Sequence, residues 1–120
     1  MSESPRALPD ATSMLESMVT GRCSALELVG EHLQRLKRLD PLLNAATSMF
    51  EEQALAAAAA PRPGPLSGLP ISVKETFALS GHTITAGSLR MPPVAAQRDA
   101  AAVARLKAAG AIVIARANVP

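Results

Sequence analysis

The sequence predicts an α/β fold: amino-terminal helices followed by a βαβ unit. Three observations carry that prediction. Leu26, Val29, Leu33, Leu36 and Leu39 recur at intervals of three and four, which lines one face of a helix. AIVIARA, residues 111–117, is a β-branched-rich run of the kind buried on both faces of a parallel sheet. Between it and an earlier strand candidate, ISVKETFAL, lies the helix signal DAAAVARLKAAG.

The elements follow in order. Residues 1–12 read as a disordered lead-in, and 13–120 as the folded part. Ser13 with Glu16 is a capping box that opens a short helix to about Thr20, and Gly21 breaks it. Ser24 with Glu27 opens the longer, leucine-striped helix, which Asp40-Pro41 is expected to end. A short strand is expected around Ala45–Phe50. EEQALAAAAA reads as a helix with its acidic residues in the favourable first turn. The Pro- and Gly-rich segment PRPGPLSGLP is a structured loop. After the strand ISVKETFAL comes a long irregular loop, with a short strand or turn near Thr83–Thr85. Asp99 is expected to cap the next helix and Gly110 to close it. The strand 111–117 follows, and the crossover is expected to be right-handed.

This last strand is followed by Asn118-Val119-Pro120 alone. Its far edge then has nothing left to pair with, and an open apolar edge is a liability that complete domains avoid. The expectation is an incomplete domain whose strand 111–117 could pair with a complementary fragment or a second copy.

Bulk properties exclude several function classes. The chain has 120 residues, one domain at most, with 2% aromatics and a net charge of +2. The basic balance is mild and unclustered, without the basic stripe and stacking aromatics of a nucleic-acid binder, so no nucleic-acid partner is expected. A single cysteine, Cys23, permits no intrachain disulfide and fits a reducing compartment. The start MSESPRALPD lacks the apolar core of a signal peptide, and no apolar stretch approaches the roughly 20 residues of a membrane span. A cytoplasmic protein without a membrane segment is expected. His32, His82 and Cys23 match no zinc spacing, so no metal is expected, and no Gly-rich phosphate loop exists. No cofactor is implied.

One residue stands out. Lys74 lies near the middle of the apolar stretch GLPISVKETF, although lysine is rarely buried without a partner. A free lysine has a pKa of about 10.4 and must be lowered to about 7–8 to act as a general base. Flanking Ile71, Val73 and Phe77 offer that desolvation. The competing reading is an edge-strand lysine that blocks aggregation, or one paired with Glu75 or Glu51. From local pattern alone the edge reading is favoured. Ser72 is two residues away, roughly 6.5–7 Å along a strand, too far to guarantee a hydroxyl–amine dyad.

The wider pattern reverses that preference. GPLSGLPISVKETFALSGHTITAGS, then DAAAVARLKAAGAIVIARANVP, resembles the amino-terminal part of the amidase signature family, and SALELVGEHLQRLKRLDPLLNAATSMFEEQALAAA resembles its lead-in. The resemblance runs from about residue 13 to the end. It implies an α/β/α sandwich with a mixed sheet and hydrolysis of linear amides by a Ser–cis-Ser–Lys triad. Lys74 aligns with the catalytic lysine. The bridging serine and the nucleophile of that family come later than the segment matching Asn118-Val119, so Ser72, Ser80 and Ser88 do not occupy those positions. The isolated chain is expected to be inactive. Glu75 stands where aspartate is more frequent, and Ala115-Arg116-Ala117 replaces the usual Gly-Lys-Thr. The substrate implied is a small-molecule amide. Two alternatives stay open: a non-catalytic chain that docks to a complementary chain, and the A-type subunit of a glutamyl-tRNA amidotransferase. A homodimer is also compatible with this reading.

Overall fold

A computed structural model describes residues 8–92 and 94–120. Its elements are α1 (Ala11–Val19), α2 (Ala25–Leu43), β1 (Ala46–Met49), α3 (Glu51–Ala59), β2 (Pro70–Lys74), α4 (Ala101–Ala108) and β3 (Ile112–Ala117). The fold is α/β with a mixed three-stranded sheet in the order β1-β3-β2. β2 and β3 run parallel, and β1 runs antiparallel to β3.

Residues 1–7 of the expected lead-in lie outside the described residues, and Ala11 and Thr12, also assigned to it, already belong to α1. Asp10, not Ser13, caps this helix: its carboxylate accepts the Ser13 N–H at 2.8 Å. A carboxylate three residues ahead is well placed to take an orphan N–H of the first turn. The second capping box holds, with Ser24 Oγ accepting the Glu27 N–H at 3.0 Å.

The stop at Asp40-Pro41 is corrected. α2 runs through Pro41 to Leu43 and ends at Asn44, whose φ of 50° is left-handed. Proline removes one helical hydrogen bond without forcing the next turn open. The termination is made by Asn44 N–H on the Asp40 carbonyl and by the Asp40 carboxylate, which accepts the Ala45 and Ala46 N–H groups at 2.7 and 2.9 Å. The buried face of α2 is also rotated from the expected stripe: Ala25, Leu28, Val29 and Leu33 are buried, while Leu26 and Leu39 are exposed.

Two apolar layers cover the sheet. On one side, Val29 and Leu33 of α2 and Ala54 and Ala58 of α3 pack on Ile112, Ile114 and Ala115. On the other, Val103 of α4 packs with Val73, Leu79 and Phe50, beside Ile71 and Val113.

The expected open edge of strand 111–117 is corrected. β3 is the central strand, paired on one side with β2 and on the other with β1. Ala117 faces Ala46 and Ala115 faces Met49, and the Phe50 N–H continues the seam onto the Ile114 carbonyl at 2.9 Å. A strand earlier in the sequence returns to cover that edge, so docking through an open edge of β3 has no structural basis. β1 and β2 are the outer strands of the described sheet.

The PRPGPLSGLP loop folds under the α4–β3 turn. Leu66 N–H bonds the Ala109 carbonyl at 2.8 Å, and Gly68 N–H bonds the Gly110 carbonyl at 3.0 Å. Gly110 has a φ of +105°, and a Cβ there would lie 2.6 Å from Ser67 Cα, so the close approach requires glycine.

Candidate functional site

Lys74 is the last residue of β2, at the carboxyl end of a strand parallel to β3, where its register partner is Ala117. It is exposed. Ser72 and Lys74 share one sheet face, because side chains two apart on a strand point the same way. The intervening Val73 is buried against Val103 on the other face. The partners considered for Lys74 are taken by other residues. Glu51 pairs with Lys37, and Glu75 pairs with Arg116. No hydrogen bond joins Ser72 to Lys74 among the described residues.

The strand ends earlier than ISVKETFAL implies, since the chain turns after Lys74. Phe77 N–H bonds the Lys74 carbonyl at 2.9 Å, and Phe77 is half exposed. Glu75 turns inward. Its side chain and that of Arg116 are 7% and 5% exposed, with Arg116 Nη2 3.3 Å from Glu75 Oε1. The same guanidinium nitrogen lies 3.4 Å from the Glu75 backbone carbonyl. Oε1 also accepts the Thr85 N–H at 2.7 Å and the Thr85 hydroxyl at 3.3 Å. The Thr85 N–H, then the Arg116 charge, hold the Glu75 carboxyl below its usual range against the opposing effect of burial.

A β-bulge makes this pairing possible. The register between β2 and β3 shifts between Ile71 and Ser72, from Val113 to Ala115 as partner. Ile114 and Ala115 therefore both pack on the α2 and α3 side. Arg116 falls opposite Val73, and its guanidinium reaches Glu75 two residues on. Bulges re-aim side chains in this way beside functional sites. Neither Glu75 nor Arg116 is singled out by the sequence as a partner for the other. The available signal is a lone arginine inside an apolar strand, one crossover away from a glutamate that ends a parallel strand.

Two clefts flank the sheet. One, of about 380 Å³, lies between the second half of α2 and the strands, lined by His32, Arg35, Leu36, Leu39, Ser72 and Ile114 among others. His32 is half-buried, its Nδ1 2.9 Å from the Leu28 carbonyl. The other, of about 580 Å³, lies between α3 and α4 and brings Ser80, His82 and Asp99 together. These residue types suggest a hydrolytic triad, but the hydrogen bonds run elsewhere. Ser80 Oγ donates to the Gln97 carbonyl at 3.3 Å. The His82 ring tilts against Phe50, centroids 4.8 Å apart. Asp99 accepts the Ser80 backbone N–H at 2.8 Å and the Lys107 ammonium at 2.9 Å. Asp99 therefore does not cap α4, whose N-cap is Ala100 without a side-chain hydrogen bond. The Ser80 N–H chiefly, with Lys107, lowers the Asp99 pKa. Among the described residues no hydrogen bond joins Ser80 to His82 or His82 to Asp99, so the three do not form the relay that activates a nucleophile.

Among the described residues of the loop 81–98, Thr83 and Ala95 form an isolated antiparallel bridge. Ser88 Oγ accepts the Arg90 N–H at 3.2 Å, which orders a turn. Among the described residues no cluster of His, Cys, Asp and Glu is arranged to hold a metal, and no helix is long and apolar enough to cross a membrane.

The family model described as Amidase matches residues 27–120. The A-type subunit of the glutamyl-tRNA(Gln) amidotransferase of Rhodopirellula baltica is 34% identical over 119 residues, covering 92% of this chain and 24% of the relative. The corresponding subunit of Thermus thermophilus is 42% identical over 99 residues, covering 82% and 21%. The structure of the peptide amidase from Stenotrophomonas maltophilia superposes with a TM-score of 0.82 at 30% identity, covering 95% of this chain and 25% of that one. The chain thus spans about a quarter of the length of these relatives. With the motif order, the mixed sheet and the fold likeness in agreement, the chain belongs to the amidase family.

Proposed function

We propose that this chain carries the general base of an amide hydrolase, and that Lys74 is that base. The observation that carries the reading is the position of Lys74. It lies within the family-like stretch GLPISVKETF and closes β2 at the carboxyl end of a parallel strand, the end at which open α/β sheets bind their ligands. In the proposed reaction the neutral lysine accepts a proton, relayed by a bridging serine, from a nucleophilic serine. The serine oxygen bonds to the amide carbonyl carbon, the C–N bond breaks, and the amine leaves with a proton. Water then cleaves the acyl-enzyme and releases the acid.

Neither serine of that scheme lies among Ser72, Ser80 and Ser88 on this reading. The engagement of Ser80 with Gln97 and of Ser88 with Arg90 supports it. The 120-residue chain alone is therefore expected to leave a fluorophosphonate probe unreacted. Serine labelling of the isolated chain overturns this assignment. The reading of Lys74 is tested separately, on the chain produced with any coding sequence that follows Pro120. Release of amine from a simple aryl amide is expected, with a loss of at least about 100-fold in Lys74→Ala, the low end of a general base's usual contribution. Equal rates sink the proposal. We place the protein in the cytoplasm.

A second reading is favoured by the relatives from R. baltica and T. thermophilus, both A-type subunits of a glutamyl-tRNA(Gln) amidotransferase. On it the same lysine serves an enzyme that works with partner subunits and RNA. Co-purification of such subunits with the chain from its native cells decides between the two.

A further inference from the structure

We infer that Glu75, Arg116 and Thr85 are positioning residues for Lys74: a buried clamp that fixes the backbone from which the lysine side chain leaves the sheet. The inference rests on the reading of Lys74 as the base. The exposed lysine makes no ion pair of its own among the described residues, so its placement comes from the peptide units around it. Those units are held on every side. The Glu75 N–H bonds the Ala117 carbonyl at 2.9 Å, the Glu75 carbonyl lies 3.4 Å from Arg116 Nη2, and the Lys74 carbonyl accepts the Phe77 N–H.

The Glu75 side chain adds the long-range tie. Through Oε1 it joins the end of β2 to β3 at Arg116 and to the loop at Thr85. The next residues of that loop, Ala86 and Gly87, have φ of 51° and 77°. A left-handed pair beginning with a non-glycine persists only where surrounding contacts over-determine it. The bulge belongs to the device: through the shift between Ile71 and Ser72, Arg116 pairs with Val73, two residues before Glu75. Thus one strand end, one neighbouring strand and one loop meet at a single buried carboxylate oxygen, one residue beyond the proposed base.

The test uses the full chain with its lysines ¹³C-dimethylated, a change that keeps their charge. Lys37 and Lys107, each in its own ion pair, are internal controls. In the native chain the amides of Lys74 to Phe77 are expected in the rigid range, order parameters of about 0.85. In Glu75→Gln they fall below about 0.6, and the Lys74 methyl signal shifts while those of Lys37 and Lys107 stay. Glu75→Asp restores part of the order. A folded Glu75→Gln chain with unchanged order at residues 74–77 and an unmoved Lys74 signal overturns the inference. Should Glu75→Gln lose its circular dichroism, Arg116→Lys, which keeps the charge but removes the guanidinium nitrogen shared by the Glu75 carboxylate and carbonyl, decides: a shifted Lys74 signal supports the clamp, an unmoved one refutes it. None of these readouts requires turnover, so a failure of Lys74 as base, seen in the amide assay, stays distinct from a failure of the clamp.

Discussion

Two ion pairs use the same chemistry in opposite surroundings. Glu75–Arg116 joins β2 to β3 with side chains 7% and 5% exposed, and Glu75 has additional hydrogen bonds from Thr85. Lys37–Glu51 joins α2 to α3 with side chains 50% and 45% exposed. Water competes for the second pair and screens it, so forming it changes little. The first pair has been taken out of water, so removing one partner leaves the other as a buried charge without its counter-charge. Burial, more than geometry, sets what each pair contributes.

The comparison breaks most visibly at Arg116. Arg116→Ala leaves the Glu75 carboxylate buried without its cation, which costs roughly 3–5 kcal/mol. A urea denaturation midpoint far below that of the native chain is expected, and a shift under about 1 kcal/mol refutes the contrast. Acid comes next. The Glu75 pKa is lowered on folding from its usual 4.5, so the folded state releases this proton more readily than the unfolded one. Its stabilising contribution is complete above the unfolded value and is lost as pH falls through the lowered folded value. The melting temperature is expected to drop below about pH 4.5, and Glu75→Gln to flatten that drop.

Lys107–Asp99 lies between the extremes, with side chains 38% and 17% exposed. Lys107→Ala is expected to cost about 1 kcal/mol in the same denaturation, discounted for solvent screening. Lys37→Ala is expected to cost no more than about 0.5 kcal/mol, and less at about 0.5 M salt than at low salt. Smallest of all is Lys74→Ala, at an exposed position without an ion pair among the described residues, expected within about 0.5 kcal/mol of the native chain. Under the proposed function that variant loses activity while keeping its stability, whereas Lys37→Ala leaves activity intact.

The two elements read most completely from the sequence are β3 and the start of α2. An apolar run such as AIVIARA has few places to go other than a sheet interior, and Ser24 with Glu27 caps a helix through groups three residues apart. Both signals are local. The PRPGPLSGLP segment is equally legible as a loop, although its seat under Gly110 is not, because that contact joins segments more than forty residues apart.

Expectations that depend on a distant partner fail. Asp99 has a helix-cap pattern, yet Ser80 and Lys107 claim its two oxygens. Pro41 also looks like a stop, but there the reason is local: Asn44, three residues on, supplies the left-handed residue that ends α2. The edge of β3 looks open in the sequence because nothing in its own pattern names β1 as the strand that covers it.

By itself the sequence determined the α/β class, the order of most elements, the family and the identity of Lys74 as the residue to ask about. Those follow from periodicities and motifs carried within short windows. Only the tertiary structure decided that Lys74 is exposed, that Glu75 and not Lys74 is the buried charge, and that a bulge brings Arg116 to it. Charge partners are chosen by which strands lie side by side and on which face each residue falls. A one-residue shift in register changes both, and no local pattern records it.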